Sequence, residues 1–156
     1  MPSALQRELR QRRPFQSPAH EAVLGLMRTA DLMRRHAAAL VEPHGITLQQ
    51  FNVLRILRGA GDAGLPTLEV ADRMIEQTPG VTRLLDRLEA KELVRRERCP
   101  KDRRQHLCRI AAKGLTVLEK IDALSADAHE HALKGLRHKD RIALIQLLDA
   151  VRAAHQ

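Results

Sequence analysis

Aromatic residues are nearly missing from this chain: there is no Trp, no Tyr and only two Phe in 156 residues. Modules that hold single-stranded nucleic acid by stacking bases on aromatic side chains are therefore disfavoured. Long apolar runs are missing as well. No stretch is long enough to span a bilayer, and the N-terminus is Arg-rich without the apolar segment of a secretory signal, so a cytoplasmic protein with no membrane partner is expected. Cysteine is scarce, and Cys99 and Cys108 do not form a metal-binding pattern. A glycine-rich phosphate loop, HExxH and GxSxG are all lacking, which leaves an enzyme only a triad assembled in space. Neither catalysis nor a resident cofactor is expected. No internal repeat or low-complexity tract is present.

Positive charge is what the chain has in excess. Lys and Arg number 27 against 19 Asp and Glu, a formal net charge of +8, which points to an anionic partner with nucleic acid ahead of membrane. A hydrophobic fraction of 44% over 156 residues suits one ordinary domain with a buried core.

The arginines gather in the stretch from Thr78 to Ile110, TPGVTRLLDRLEAKELVRRERCPKDRRQHLCRI. Its first half predicts a helix, with Thr78 as N-cap and Pro79 in the first helical position, where a missing N–H removes nothing the helix needs. Val81, Leu84, Leu85 and Leu88 then recur at three- and four-residue spacing as one apolar face, while Thr82, Arg83, Asp86, Arg87 and Glu89 fall elsewhere. Thr and Arg near the N-terminal end suit a helix laid in the major groove; the same pattern also describes an ordinary amphipathic surface helix. The second half reads as two strands joined by turn chemistry at Pro100-Lys101-Asp102. Between Val94 and Arg109 the cations are Arg95, Arg96, Arg98, Lys101, Arg103, Arg104 and Arg109, against the anions Glu97 and Asp102. A hairpin so charged repels itself unless a polyanion is near.

The run VTRLLDRLEAKELVRRERCPKDRRQHLCRIAAKG resembles the winged helix-turn-helix of the MarR family of bacterial transcription regulators, and the likeness extends upstream through ITLQQFNVLRIL and LPTLEVADRM. The text V-T-R-L-L-D-R-L-E-x-K and the K-D-R-R wing followed by a strand and A-x-K-G carry it. Three positions depart from the usual pattern: Glu92 where glycine commonly closes the recognition helix, Ile75 where glycine commonly sits in the turn, and Ala111 where threonine often caps the next helix.

The expected fold is mainly α with a small β-hairpin wing (α+β), a winged helix-turn-helix flanked by N- and C-terminal dimerisation helices. Residues 1–18 form a basic N-terminal arm or short helix. Residues 19–156 form a single domain, in which 19–42 and 113–154 are the dimerisation helices and 47–110 the winged unit. Val23, Leu26, Met27, Ala30, Met33, Ala37 and Leu40 mark the first long helix, and Thr47 with Gln50 makes a capping box for the next. Leu65 starts a short strand, and Thr67 is expected to cap a helix from Leu68 to about Ile75. The terminal helices hold more apolar surface than the small winged unit can cover, which predicts a homodimer; the resemblance implies the same.

Within a DNA-binding reading, Thr78, Gly80, Thr82 and Arg83 open the recognition helix. Arg83 is the candidate for a bidentate base contact to guanine, with a phosphate contact as its equal alternative. Arg87, Arg95, Lys101 and Arg103 would meet phosphates. Similarity to the family's D-x-R wing implies that Arg104 enters the minor groove with Asp102 holding the wing arginine, and narrow A·T grooves do favour Arg. The partner is then double-stranded DNA carrying a pseudo-palindromic operator. The resemblance further implies a repressor released by a small, often anionic aromatic effector between the dimer helices and the winged unit. Arg34, Arg35, His36 and His44 are the candidates to meet it, although exposed charges commonly just face solvent. A nonspecific architectural DNA binder is the alternative of a different kind. Metal response would draw on the eight histidines, but His129 and His131 are two positions apart and point away from one another on a helix. Thiol response would need a reactive Cys99 or Cys108, with packing the commoner use of such residues.

Overall fold

The computed structural model describes residues 1–77, 79–100, 102 and 105–155. Seven helices and three strands follow one another as α1 (Ala4–Glu8), α2 (Pro18–Val41), α3 (Leu48–Ala60), β1 (Leu65–Pro66), α4 (Thr67–Asp72), α5 (Val81–Ala90), β2 (Val94–Arg98), β3 (His106–Ile110), α6 (Ala112–Ala132) and α7 (His138–Ala153) among the described residues. The strands form one antiparallel sheet in the order β1-β3-β2. Fold class and winged helix-turn-helix are as the sequence predicts.

Local chemistry explains most boundaries. The Ser17 hydroxyl accepts from His20 N–H and Pro18 opens α2. Thr47 and Gln50 form the expected reciprocal capping box at α3. Two expected caps differ. Thr67 is the first residue of α4 rather than its cap, and α4 stops at Asp72, short of Ile75. Its hydroxyl instead meets the Cys108 thiol at 3.8 Å. Helix α5 starts at Val81 with Gly80 as N-cap in a left-handed conformation, φ 98°, so Pro79 lies in the preceding turn; Thr78 lies outside the described residues. A residue with a Cβ would be strained at Gly80, which is why the chain turns into the helix there.

The exit from α5 answers the missing glycine. Glu92 takes the left-handed conformation, φ 61°, with Leu93 N–H bonded to Leu88 C=O at 2.9 Å and Glu92 N–H to Glu89 C=O at 2.8 Å. That is the Schellman closure a glycine normally makes, held here by a glutamate. Ala111 caps α6 without a side-chain bond, as its lack of a hydroxyl dictates.

The core sits under the winged unit: Val53, Leu54 and Leu57 of α3, Leu85 and Leu88 of α5, Val94 of β2, Cys108 of β3, and Leu118 and Ile121 of α6 are essentially inaccessible. Helices α2 and α7 contribute little to it, whereas α6 packs into it. Helix α2 buries only Val41 and α7 buries nothing, leaving Val23 54%, Met27 65%, Ile145 55% and Leu147 66% exposed. Among the described residues no helix is long and apolar enough to cross a membrane.

Candidate nucleic-acid interface

Helix α5 has three stripes, and each has its own neighbour. Val81, Leu84, Leu85 and Leu88 are buried against the core. Thr82, Asp86 and Glu89, spaced i, i+4 and i+7, share a second face, and Asp86 and Glu89 meet the wing there. Arg83 and Arg87 lie one turn apart on the third, exposed and engaged by no carboxylate among the described residues.

The wing is joined to the second stripe by Arg96. Its Nε donates to Glu89 Oε2 at 2.9 Å and its Nη2 to the same oxygen at 2.6 Å, while Nη2 also lies 2.6 Å from Asp86 Oδ1. The backbone N–H of Arg96 donates to Glu89 Oε1 at 3.2 Å. The hydrogen bond to Glu89 holds the guanidinium pKa above its ordinary value, with burial opposing and Asp86 assisting. Arg109, also in the counted charge run, donates to Asp62 C=O at 2.7 Å and to Glu97 Oε2 at 2.5 Å. Among the described residues, two of the four cations of that run, Arg96 and Arg109, are thus engaged within the fold. Asp86 and Glu89 lie upstream of the counted segment, which is why a tally over 94–109 misses the first pairing.

Strand register sets what faces where. Val94 opposes Ile110, Arg96 opposes Cys108 and Arg98 opposes His106. Residues directly opposite share a face, so Val94, Arg96, Arg98, His106, Cys108 and Ile110 lie on the α5 side, and Arg95 lies on the other side with Glu97 and Arg109. Thr67, Thr82, Glu89, Arg96 and His106 line a crevice of about 410 Å³ between helix and wing. Arg98 and His106 were not among the expected contacts; only the alternation of the hairpin could have pointed to them. Lys101, Arg103 and Arg104 lie outside the described residues. Asp102 is described: its C=O accepts from Gln105 N–H at 3.0 Å at the hairpin end.

The two cysteines separate in character. Cys108 is fully buried, and burial raises its thiol pKa, with the Thr67 hydrogen bond and the charge of Arg96 acting the other way. Cys99 is half-buried at the end of the hairpin. With Cys108 opposite Arg96, three residues before Cys99, the register sets the thiols roughly 10 Å apart along the strands, beyond disulfide reach. Among the described residues no group of three or more His, Cys, Asp or Glu is arranged to hold a metal ion.

A groove of about 800 Å³ opens between α2, α3 and the turn before α5, with Met33, Ala37, Leu48, Phe51 and Met74 as apolar walls and Arg34, Arg55 and His129 as basic ones. Of the four expected effector residues, Arg34 lines it; Arg35, His36 and His44 do not. Arg34 Nε donates to Glu76 Oε1 at 2.6 Å across the groove, and Arg35 Nε to Asp31 at 3.1 Å. Ile75 N–H donates to Asn52 Oδ1 at 2.8 Å, so the turn before α5 is tied to both helices bordering the groove.

A short helix, a turn, a second helix with an exposed basic stripe and a basic hairpin clamped beside it define a winged helix-turn-helix of the DNA-binding kind. Comparison with known proteins gives the family. The MarR family model matches residues 46–106. The MarR transcription factor from Planctomyces limnophilus is 34% identical, the alignment covering 87% of this chain and 98% of that one with a TM-score of 0.67. A single-substitution variant of E. coli MarR solved with operator DNA is 27% identical, covering 81% and 89%, with a TM-score of 0.74. The HTH-type transcriptional regulator MhqR of Bacillus subtilis is 33% identical over 91 residues, 58% of this chain; the chain spans 59% of that relative's length. The chain belongs to the MarR family of DNA-binding transcription regulators.

Proposed function

We propose that the chain works as a homodimeric repressor of a pseudo-palindromic operator and that a small anionic ligand relieves the repression. The observation that carries the reading is the third stripe of α5. Arg83 and Arg87 project from a helix whose other faces are occupied by core and wing, and exposed arginines that meet no carboxylate among the described residues suit base edges and phosphates in the major groove. Arg83 reads a base, Thr82 and Gly80 approach the same groove, and Arg87 meets phosphate. Arg98 and His106 join the contacts from the wing's inner face, and Arg95 those from its outer face. Thr78, Lys101, Asp102, Arg103 and Arg104 keep the roles that the family resemblance and their chemistry imply. The uncovered apolar side chains of α2 and α7 support the dimer, because patches of that kind seldom remain in water. Acting on promoter DNA, the protein works in the cytoplasm.

The groove beside α2 is the proposed ligand site, with Arg34 to meet an anion and Met33, Phe51 and Met74 to take an apolar body. A ligand acts only through a difference in affinity between DNA-competent and released conformations. Selection from random duplexes at physiological salt tests the reading: an enriched inverted repeat, bound about 10³–10⁷ times more tightly than random DNA, is expected. Uniform affinity with a steep salt dependence would show an architectural binder instead. Arg104→Ala should cost about 1–3 kcal/mol of operator binding and Arg83→Ala should relax preference at one base position.

A further inference from the structure

We infer that Arg96 is a positioning residue for DNA reading: with Asp86 and Glu89 it fixes the wing against the recognition helix, and it touches no DNA itself. The inference rests on the DNA-binding reading above and concerns what sets the relative placement of its two contact elements.

The geometry is unusually complete for a surface interaction. Glu89 receives three donors from one residue of β2: the guanidinium Nε at 2.9 Å, Nη2 at 2.6 Å and the backbone N–H at 3.2 Å. Asp86, one turn earlier on the same stripe, takes Nη2 at 2.6 Å. Side chain and backbone of the strand are therefore both referenced to α5, which fixes the strand's direction as well as its distance. The Arg96 side chain is only 22% exposed, against 53% for Asp86 and 40% for Glu89, so the guanidinium sits inside the joint with the carboxylates toward solvent. A guanidinium with its planar fork can serve two carboxylates at once, and an ammonium on a flexible stem cannot hold that arrangement.

The position within the hairpin gives the joint its consequence. Val94, one step back on the same face, is buried in the core, and Arg98, one step forward, is exposed. Among the described residues Arg96 is thus the outermost position of β2 tied by hydrogen bonds to α5. A small rotation there displaces the tip by several times as much, and a wing contact must fall in the groove next to the one α5 occupies. The cost of the device is two carboxylates on a helix facing a polyanion.

That cost provides a test with a definite sign. Removing an acid from a DNA-facing surface ordinarily strengthens binding by reducing repulsion. If the acid's work is to hold the wing, Glu89→Gln must weaken binding instead. The experiment measures operator affinity, thermal unfolding and chemical footprints for the full-length parent, Glu89→Gln and Arg96→Lys, on the site selected by the parent. Expected for both variants is a fall in affinity of about tenfold or more at a nearly unchanged melting temperature. Minor-groove protection beside the operator core should be lost, and guanine N7 protection by α5 retained. Glu89→Gln binding as tightly as the parent or more tightly, or Arg96→Lys keeping parental affinity as a phosphate-contacting arginine would allow, overturns the inference. Failure of the parent to select any site overturns the DNA reading and the inference together.

Discussion

Gly114 stands in the first turn of α6, where a Cβ would press on the Leu93 carbonyl oxygen and lie 2.9 Å from Ile110 Cγ1. The Leu93 carbonyl cannot turn aside, because it already accepts Ala111 N–H at 2.9 Å and belongs to the tight exit from α5. Gly114→Ala therefore forces backbone to move. Overpacking commonly costs about 1–3 kcal/mol, and a clash with main chain falls near the top of that range. Alanine's better helix propensity returns at most about 1 kcal/mol, leaving a net loss of about 2 kcal/mol. At about 2–4 °C per kcal/mol for a chain of this size, the melting temperature should fall by about 4–8 °C. Gly59, in α3, provides the control: nothing lies within 4 Å of the position its Cβ would take, so Gly59→Ala should gain up to about 1 kcal/mol. Thermal and urea unfolding at one fixed protein concentration compare the three proteins, since self-association makes stability depend on concentration. Propensity alone assigns both substitutions the same sign. Gly114→Ala as stable as the parent would refute the packing account.

Other outcomes follow from the same structure. Glu92→Gly should stabilise by about 0.5–1 kcal/mol, read by urea unfolding, because it relieves a left-handed glutamate and forfeits only an exposed pair with Lys113. Leu85→Ala, truncating a fully buried side chain of α5, should cost about 2–5 kcal/mol in the same assay. Native-state alkylation followed by mass spectrometry should label Cys99 and spare Cys108 until the protein unfolds. Burial raises the Cys108 pKa in the folded chain, so its contribution to stability is full below the ordinary thiol range and is lost as pH climbs through the raised value. Cys108→Ala should remove that alkaline loss, whose steepest slope is about 1.4 kcal/mol per pH unit.

Much of the fold was legible because it rests on local chemistry. The stripe Val81, Leu84, Leu85, Leu88 is buried as its spacing requires, and Thr47 with Gln50 caps α3 as two residues three apart can. Caps that depend on tertiary partners were not legible. Thr67 has a hydroxyl suited to capping, but the thiol of Cys108, brought alongside by the pairing of Leu65 with Cys108, is its partner instead. The wing's charge was legible as an excess and not as an arrangement. Arg96 and Arg109 look identical to Arg95 and Arg98 in sequence; only the carboxylates the fold brings beside them, Asp86 and Glu89 for Arg96 and Glu97 for Arg109, tell which are spent inside the fold.

That division bears on how the protein would search DNA. An arginine already neutralised by carboxylates releases no counterion from the double helix, and each phosphate contact forgone lowers the slope of log affinity against log salt by about 0.9. With Arg96 and Arg109 matched internally, the grip on arbitrary sequence is weaker than a count of the hairpin's arginines suggests. On random duplexes the salt slope should therefore be shallower than the hairpin's arginine count implies, by about 0.9 for each matched arginine.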